Sequence, residues 1–210
     1  MDIKLTISVP CFGRRRGTIR SVECIAKQNI NGWEALIVGD GCPVMQDFVD
    51  SNYFSDIQKD CESRGNILKI WNEPINRGGC GFAITNENIQ RASGEYFIFY
   101  ANDDIILENH FENYLSQIDW TDYDFVYFNS WVDPLHSIRN TKLQPDHIGH
   151  SEIIVRTDFL RKMPEHTNQY GHDWTLISKM IESGKYKKCD TCPPTYKVMS
   201  LSFVREKNLD

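Results

Sequence analysis

Residues 95–107 read EYFIFYANDDIIL, and this stretch decides the fold class of the chain. Its first part, Tyr96 to Tyr100, is a short apolar run with the length and composition of a buried β-strand. Three polar side chains follow the run: Asn102, Asp103 and Asp104. Ligands of open parallel sheets bind outside the carboxyl ends of the strands, so polar residues at this position indicate a binding site. The stretch therefore predicts an α/β fold with a ligand site at the end of this strand.

Three further apolar runs precede this strand, and helical patterns separate them. The predicted strands are LTISVP (Leu5 to Pro10), which its proline ends, EALIVGDG (Glu34 to Gly41) and ILKIWNEP (Ile67 to Pro74). The predicted helices are one that Thr18 caps and that runs to about Asn29, one from Asp47 to Arg64 and one from Phe82 to Ala92. This alternation is typical of a mostly parallel central sheet flanked by helices, a Rossmann-like arrangement. We expect the turns that hold Phe12, Asp40, Arg77 and Asp103 to Asp104 at one edge of the sheet.

The second half of the chain has a weaker pattern. FVYFNSWV, after Asp124, predicts one more strand, and the segment from there to about Met163 predicts mainly loops. A helix is predicted from Tyr170 to Glu182, because apolar side chains recur there at helical spacing. A length of 210 residues suits one domain with two functional halves.

The composition excludes several classes of protein. Apolar residues make up 40% of the chain and charged residues 25%, which is enough to bury an ordinary core. The net charge of −6 gives no broad basic surface for nucleic acid or an anionic membrane, and it suits a divalent cation better. The sequence has no apolar stretch of the ~20 residues that a membrane span needs, and its start lacks the apolar segment of a secretory signal. We therefore expect a cytoplasmic protein.

The seven cysteines are an odd number and are scattered along the chain. This distribution favours reduced thiols over a disulfide framework. Cys189 and Cys192 form one CxxC pair, but a tetrahedral zinc site needs two more ligands, and no second pair with zinc-like spacing is present.

Two sets of acidic residues follow the predicted strands. Asp103 and Asp104 could bind Mg²⁺ or Mn²⁺, which take one or two carboxylates and complete their coordination with phosphate and water. The alternative is a solvated turn or helix cap, in which Asp is common. Asp40 could accept a hydrogen bond from a base or a ribose, and its alternative is a turn with Gly41.

Two further segments have a chemical interpretation and a structural one. The loop Asn76 to Gly81 contains three glycines and could approach phosphates, although its order matches no dinucleotide or P-loop spacing, and a flexible turn is the alternative. Asp173 could act as a general base if it faces the crevice. Its alternative is an acidic residue that stabilises a helix N-terminus.

Four motifs together resemble one family of enzymes. They are SVPCFGR (8–14), EALIVGDG (34–41), NRGGCGFAITNENIQRASGEYFIFYANDD (76–104) and GHDW (171–174). In this order they resemble the GT-A glycosyltransferases of the large inverting family that includes the cellulose, chitin and hyaluronan synthases. The chain also resembles glycosyltransferase domains encoded by large algal viruses, which implies the cytoplasm of a host cell.

The resemblance implies the inverting transfer of a hexose or deoxyhexose from a UDP-sugar to a hydroxyl of a glycan or other acceptor. Asp173 would be the general base, and Asp104 would bind Mn²⁺ or Mg²⁺. The implied nucleotide-sugar-binding residues are Pro10, Phe12, Arg14, Asp40, Arg77, Asn102 and Asp103, and the candidate acceptor-site residues are His172 and Trp174. Residues 1–125 would be the nucleotide-sugar-binding half of a single GT-A domain and residues 126–210 the acceptor-binding half. The domain could belong to a longer multidomain polypeptide.

The chain departs from the family pattern at three positions. Ala101 stands where the family usually has a further acid, which shortens the metal motif to Asn-Asp-Asp. Thr85 replaces an Arg that is common in the family, which leaves Arg77 as the candidate partner of the phosphates. His172 replaces the acid that usually precedes the base.

Two other functions remain open at the level of the sequence. The run GRRRGT (13–18) superficially resembles the basic triphosphate loop of a nucleotidyltransferase that makes sugar nucleotides, although its spacing is wrong. A non-catalytic carbohydrate-binding module would keep the fold without the chemistry, and the presence of Asp173 argues against it.

Overall fold

The computed structural model describes residues 3–78, 81–102, 104–117, 122–133, 137–165, 172–190 and 195–198. The elements of the first half are β1 (Leu5–Cys11), α1 (Arg15–Ala26), β2 (Trp33–Asp40), α2 (Pro43–Asp50), α3 (Ser55–Ser63), β3 (Ile67–Glu73), α4 (Phe82–Arg91) and β4 (Tyr96–Phe99). Those of the second half are α5 (His110–Gln117), β5 (Phe125–Phe128), β6 (Ser130–Asp133), β7 (Ser137–Arg139), β8 (Ile153–Arg156), α6 (Thr157–Leu160), α7 (His172–Ser183), β9 (Tyr186–Cys189) and β10 (Thr195–Val198).

A seven-stranded sheet forms the centre of the molecule, in the order β3-β2-β1-β4-β8-β5-β9. Strands β3, β2, β1 and β4 pair in parallel, and so do β5 and β9. Strand β8 lies between β4 and β5 and is antiparallel to both. A smaller sheet has the order β10-β6-β7. The predicted α/β fold with a mostly parallel sheet flanked by helices is therefore confirmed.

Both faces of the central sheet are covered, because consecutive side chains of its strands enter different cores. In β4, Ile98 belongs to one buried cluster, while Phe97 and Phe99 belong to another. The alternation follows from the two-residue period of a strand, whose side chains point to opposite faces in turn. Helix α7 covers the face of Phe97 and Phe99 with Leu176 and Ile177. This packing brings the start of α7 to the sheet.

The sequence predicted that Pro10 ends the first strand, and this prediction is wrong. Pro10 lies inside β1, opposite Val38 of β2, and the strand continues to Cys11. The pairing of β1 with β4 extends only to Ser8, which is opposite Phe99. A proline lacks the N–H that a strand donates to its neighbour, so it is tolerated where one of the two neighbouring strands has already ended.

The helix boundaries differ from the prediction in two places. Helix α1 begins at Arg15, so Thr18 is a buried residue of its first turns and not its cap. The predicted helix from Asp47 to Arg64 is two helices, α2 and α3. Between them Asn52 has a left-handed φ of 51°, which a continuous helix does not allow.

The second half also departs from the prediction. FVYFNSWV is two strands, β5 and β6, which belong to different sheets. Asn129 separates them, and its side-chain oxygen accepts the backbone N–H of Thr141 at 3.1 Å. Helix α5 and strand β8 lie in a region where the sequence predicted neither.

Two further findings concern the cysteines and the membrane. Cys11, Cys24, Cys42 and Cys61 are free thiols. Cys189 is disulfide-bonded, so the expectation of reduced thiols is wrong for that residue. Across the described residues, every helix is too short or too polar to cross a bilayer.

Candidate functional site

The polar residues that follow β1, β2, β3 and β4 lie along one edge of the central sheet. These four strands run in parallel, so their carboxyl ends share that edge. The edge carries Phe12, Asp40, Arg77 and Asp104, as the sequence predicted. Asp103 lies outside the described residues, and its assignment stays a prediction.

Asp40 ends β2 and is 3% exposed. Its two carboxylate oxygens each accept one backbone N–H at 3.0 Å, from Arg77 and from Gly78. The neighbouring Gly41 has a φ of +58°, and a Cβ on it would lie 2.2 Å from the backbone nitrogen of Asn76. The ends of β2 and β3 are therefore held together at this point. Asp40 fixes the position of the loop that follows β3 through these two hydrogen bonds.

Arg77 lies between two acidic side chains. Its guanidinium forms an ion pair with Glu87 of α4, and its Nε is 3.8 Å from Oδ1 of Asp40. The hydrogen bond that the Arg77 guanidinium donates to Glu87, together with the negative charges around it, raises the pKa of Arg77 against the opposing effect of burial. Glu87 also pairs with Arg91 at 3.2 Å. Arg77, the candidate partner of the phosphates, is therefore held by two acidic residues of the same chain, Glu87 and Asp40.

The loop before α4 passes directly against the end of β1. Gly81 has a φ of +80°, and a Cβ on it would lie 2.6 Å from the Cβ of Pro10. Phe12, two residues beyond Pro10, is 56% exposed, although it is aromatic. An exposed ring beside a loop of this kind is suited to stack on a planar ligand. Residues 79 and 80 of the loop lie outside the described part of the chain.

The start of α1 packs against the segment that follows β4. A Cβ on Gly17 would lie 2.5 Å from the backbone oxygen of Asn102, so only glycine permits this approach. The amide of Asn102 donates to the hydroxyl of Thr18 at 3.3 Å. Arg14 precedes the helix with a left-handed φ of 43°, which is uncommon for a residue other than glycine. The nucleotide-binding roles of Arg14 and Asn102 stay predictions.

Asp104 is 7% exposed, and its backbone N–H is donated to the carbonyl of Ala101 at 3.1 Å. No group of three His, Cys, Asp or Glu side chains that could enclose a metal ion occurs among the described residues. A single carboxylate is nevertheless a suitable donor set for Mg²⁺ or Mn²⁺ bound to a substrate diphosphate, because such ions take most of their ligands from phosphate and water. The residues present therefore fit a metal that arrives with its substrate.

The antiparallel strand β8 adds a residue to this edge that the sequence did not predict. Because Ile98 of β4 is opposite Ile154, the turn before β8 lies beside the carboxyl end of β4. That turn contains His150, whose ring stacks on Phe99 with a centroid distance of 4.6 Å and an interplanar angle of 25°. No periodicity or motif in residues 137–152 singles out this histidine.

His150 connects Asp173 to the sheet. Its ring Nδ1 lies 3.0 Å from Oδ1 of Asp173, and its backbone N–H is donated to Oδ2 at 3.4 Å. Asp173 lies in the first turn of α7, and its side chain is 37% exposed. The predicted base is therefore close to the carboxyl end of β4 and partly open to solvent.

The turn that carries His150 is fixed by a buried acid. Glu152 is completely buried, and its two carboxylate oxygens accept hydrogen bonds from Arg139 of β7 and from the backbone of Gly149, the latter at 2.7 Å. The small sheet therefore supports the turn from one side, while Phe99 supports the histidine ring from the other.

The two candidate acceptor residues flank Asp173. His172 begins α7, and Trp174 is half-buried and packs against the core cluster that contains Phe97 and Phe99. The structure tests neither acceptor role, so both stay predictions.

A mostly parallel sheet with polar strand ends along one edge is shared by many open α/β folds, and comparison with known structures identifies the GT-A class of glycosyltransferases among them. A family model described as glycosyl transferase family 2 matches residues 6–183. The chain therefore belongs to glycosyl transferase family 2.

The similar proteins include one curated relative and two solved structures. UDP-Glc:alpha-D-GlcNAc-diphosphoundecaprenol beta-1,3-glucosyltransferase WfgD of Escherichia coli is 24% identical over 153 residues, which are 73% of this chain and 56% of the relative. S. aureus TarS 1-349 in complex with UDP-GlcNAc has a TM-score of 0.71 and 16% identity, and the similarity covers 94% of this chain and 59% of the TarS 1-349 chain. The mannosyltransferase PcManGT of Pyrobaculum calidifontis, in complex with GDP-Man and Mn²⁺, has a TM-score of 0.71 and 13% identity, with 96% of this chain and 58% of that one covered.

These comparisons establish the fold and the family. The chain spans 56% of the length of WfgD, 59% of the TarS 1-349 chain and 58% of the PcManGT chain. What each of them binds or transfers is a property of that protein.

Proposed function

We propose that this chain is an inverting glycosyltransferase that moves a hexose or deoxyhexose from a UDP-sugar to a hydroxyl of a glycan or other acceptor. The observation that carries the proposal is the position of Asp173, a partly exposed carboxylate held by His150 beside the carboxyl end of β4. Support for a nucleotide-sugar donor comes from the name of the E. coli relative and from the UDP-GlcNAc complex of TarS.

In the proposed reaction, Asp173 accepts the proton of the acceptor hydroxyl as its oxygen attacks the anomeric carbon. The bond between that carbon and the phosphate oxygen breaks, and its electron pair leaves with UDP. Attack and departure occur on opposite faces of the sugar through an oxocarbenium-like state, so the configuration inverts in one step. Asp173 needs solvent access for this role, and its 37% exposure provides it.

The donor would lie along the edge formed by β1 to β4. Phe12 would stack on the uracil, and Asp40 would accept a hydrogen bond from it, since each carboxylate oxygen has acceptor capacity beyond its one backbone partner. Arg77 would turn from Glu87 towards the diphosphate. Pro10, Arg14, Asn102 and Asp103 complete the proposed nucleotide-sugar-binding set.

Asp104 would hold the Mn²⁺ or Mg²⁺ that accompanies the diphosphate. The bound ion would neutralise the negative charge that develops on the departing UDP. The Mn²⁺ in the PcManGT complex supports a divalent ion for this fold. The roles of His172 and Trp174 in acceptor binding, the longer multidomain polypeptide, the viral relationship and the location in a host cytoplasm stay predictions.

A ligand screen followed by product analysis tests the proposal. The chain is heated with UDP-sugars and GDP-sugars in the presence of MnCl₂ or EDTA, and the best donor is then incubated with glycan acceptors. We expect thermal stabilisation by a UDP-sugar that depends on Mn²⁺, since a ligand that binds the folded state raises Tm. The anomeric configuration of the product, measured by NMR, should be opposite to that of the donor. Retained configuration, or release of pyrophosphate from a nucleoside triphosphate, would contradict the proposal.

A further inference from the structure

Asp173 interacts with His150 through both of its carboxylate oxygens. The ring Nδ1 is 3.0 Å from Oδ1, and the backbone N–H of the same histidine is donated to Oδ2 at 3.4 Å. A carboxylate in the first turn of a helix has several side-chain rotamers, and two donors from one residue select a single one. The residue that fixes the orientation of Asp173 is thus 23 positions away in the sequence.

We propose that His150 is a positioning residue that aims the carboxylate of Asp173 at the acceptor hydroxyl. This inference rests on the proposed function, because it assigns a partner to the proposed base. The ring contributes through its Nδ1–H, since a carboxylate only accepts hydrogen bonds and the nitrogen facing it must carry the proton. The base that touches the acceptor is Asp173 and not the imidazole.

The accessibility of the two groups separates these roles. The side chain of His150 is 14% exposed and its Nε2 is buried, whereas the side chain of Asp173 is 37% exposed. A hydroxyl in the crevice can reach the carboxylate but not the far nitrogen of the ring. His150 therefore contacts Asp173 from the buried side of the carboxylate, while the exposed side stays accessible to the acceptor.

The histidine itself is held on two sides, which is what a positioning residue requires. Phe99 of β4 lies under the ring at a centroid distance of 4.6 Å. The turn is closed by Glu152, which is completely buried and accepts hydrogen bonds from Arg139 and from the N–H of Gly149. The orientation of Asp173 is therefore set relative to β4, the same strand that leads to Asp104. Base and donor edge share one rigid support, and a shift of about 1 Å between such groups can cost ~10²-fold in rate.

Two amide substitutions of similar size test the hydrogen bond. In His150→Asn the amide nitrogen lies close to the position of Nδ1, so the donor to Asp173 is kept. In His150→Gln the nitrogen lies closer to the position of Nε2, so the donor is lost. We expect kcat for sugar transfer in His150→Gln to be about 10- to 100-fold lower than in the parent. In His150→Asn, which keeps the donor, kcat should be roughly tenfold higher than in His150→Gln. UDP affinity should stay within about twofold of the parent in both variants, because neither changes the proposed donor residues.

A third variant keeps an aromatic ring at position 150 but has no hydrogen-bond donor. His150→Phe preserves the stacking on Phe99 and removes the donor, so it should lose as much kcat as His150→Gln. Equal kcat in the Asn and Gln variants would overturn the positioning role, and so would parental kcat in His150→Phe. If His150→Phe does not fold, the comparison of Asn with Gln still decides, with Tm measured for both.

Asp173→Asn, measured beside them, separates this inference from the proposed function. If Asp173→Asn keeps sugar transfer, the proposed base is wrong. If it abolishes transfer while His150→Gln transfers as the parent does, the base stands and only the role of His150 is wrong. Loss of transfer in both, with rescue by His150→Asn, supports both assignments.

Discussion

The carboxylate of Asp40 accepts the backbone N–H of Arg77 at 3.0 Å, so the residue proposed to bind the nucleotide base also holds the next loop in place. The second oxygen does the same for Gly78 at the same distance. The turn interpretation and the ligand interpretation of Asp40 are therefore compatible, because each oxygen can accept more than one hydrogen bond. The loop that carries Arg77 has its position fixed before any ligand arrives.

Replacing Asp40 by Ala should therefore have two separate effects. Loss of the two backbone hydrogen bonds should lower the free energy of unfolding by roughly 1 to 3 kcal/mol, because two amides lose a charged acceptor. Loss of the contact with the base should weaken UDP binding by a further 1 to 3 kcal/mol, roughly. Urea unfolding measures the first effect and calorimetric titration of the folded variant the second. Reduced stability with unchanged UDP affinity would leave Asp40 as a structural residue only.

Glu87→Gln should strengthen UDP binding. Glu87 holds the guanidinium of Arg77 in an ion pair and raises its pKa, so a diphosphate has to compete with it for the same donor. A partly exposed ion pair is worth about 0.2 to 1 kcal/mol, which corresponds to an increase in affinity of up to about fivefold. Glu73→Gln is the control, since Glu73 pairs with Arg91 on the same surface and its charge has a smaller effect on Arg77 than the hydrogen-bonded Glu87 has.

A double variant completes the Glu87 experiment. If the gain comes from releasing Arg77, it should disappear when Arg77→Gln is combined with Glu87→Gln. A gain that survives in the double variant would mean that Glu87 acts without Arg77, either by repelling the diphosphate directly or by holding Arg91, its other partner. No gain in the single variant would contradict a phosphate-binding role for Arg77.

Asp104→Asn should abolish the tightening of UDP binding by Mn²⁺. The variant keeps the volume of the side chain and the backbone hydrogen bond to Ala101, so the fold should remain intact. UDP affinity without metal should stay close to that of the parent, because only the charge that binds the cation is removed. Calorimetric titration with UDP in MnCl₂ and in EDTA distinguishes the outcomes. Parental affinity in MnCl₂ would show that Asp104 is only a turn residue.

The edge that carries Asp40, Arg77 and Asp104 could be predicted from the sequence for a simple physical reason. Parallel strands that are buried on both faces are continuous apolar runs, and the polar residue that ends each run is easy to recognise. Because such strands point in one direction, the residues after them lie together whatever the exact strand order. The boundaries of the second, third and fourth predicted strands agree with β2, β3 and β4 to within one residue at each end.

The other side of the candidate site could not be predicted in this way. Strand β8 has four residues, IIVR, and nothing local shows that it enters the sheet antiparallel between β4 and β5. That placement alone brings His150 to the end of β4, because a parallel strand would have put the preceding turn at the opposite edge. Asp173 was found through its resemblance to a family motif. Its partner required the tertiary structure.

A buried histidine of α5, whose Nε2 lies 3.1 Å from the hydroxyl of Tyr100, should make the protein sensitive to acid. Burial lowers the pKa of His110 to about 3, while an unfolded chain has a histidine pKa of about 6.5. Between these values the unfolded state binds a proton that the folded state does not, so stability is complete above ~6.5 and falls as the pH falls. Each pH unit below ~6.5 should cost about 1.4 kcal/mol through this group.

His110→Phe should reduce that dependence, since a phenyl ring suits the neighbouring rings of Phe111 and Tyr114 and does not titrate. The variant also loses the contact with the hydroxyl of Tyr100, which should lower stability by a similar amount at every pH. The free energy of unfolding is measured in urea at pH 7.5, 6 and 5 for the parent and the variant. His147→Ala, at an exposed position, is the control. Parallel pH profiles for the parent and His110→Phe would contradict the assignment.

Asp173→Asn separates an inverting transferase from a protein that only binds sugars. The substitution keeps the volume of the side chain and its place in the first turn of α7, and it removes the proton acceptor. If Asp173 acts only as the base, UDP affinity should barely change, while transfer should fall at least ~10²-fold because general-base catalysis is lost. Transfer, or slow donor hydrolysis if no acceptor is available, is measured beside a UDP titration of the same sample. Retained transfer would leave Asp173 as an acid that stabilises the helix start, whereas lost UDP binding would assign it to the donor pocket.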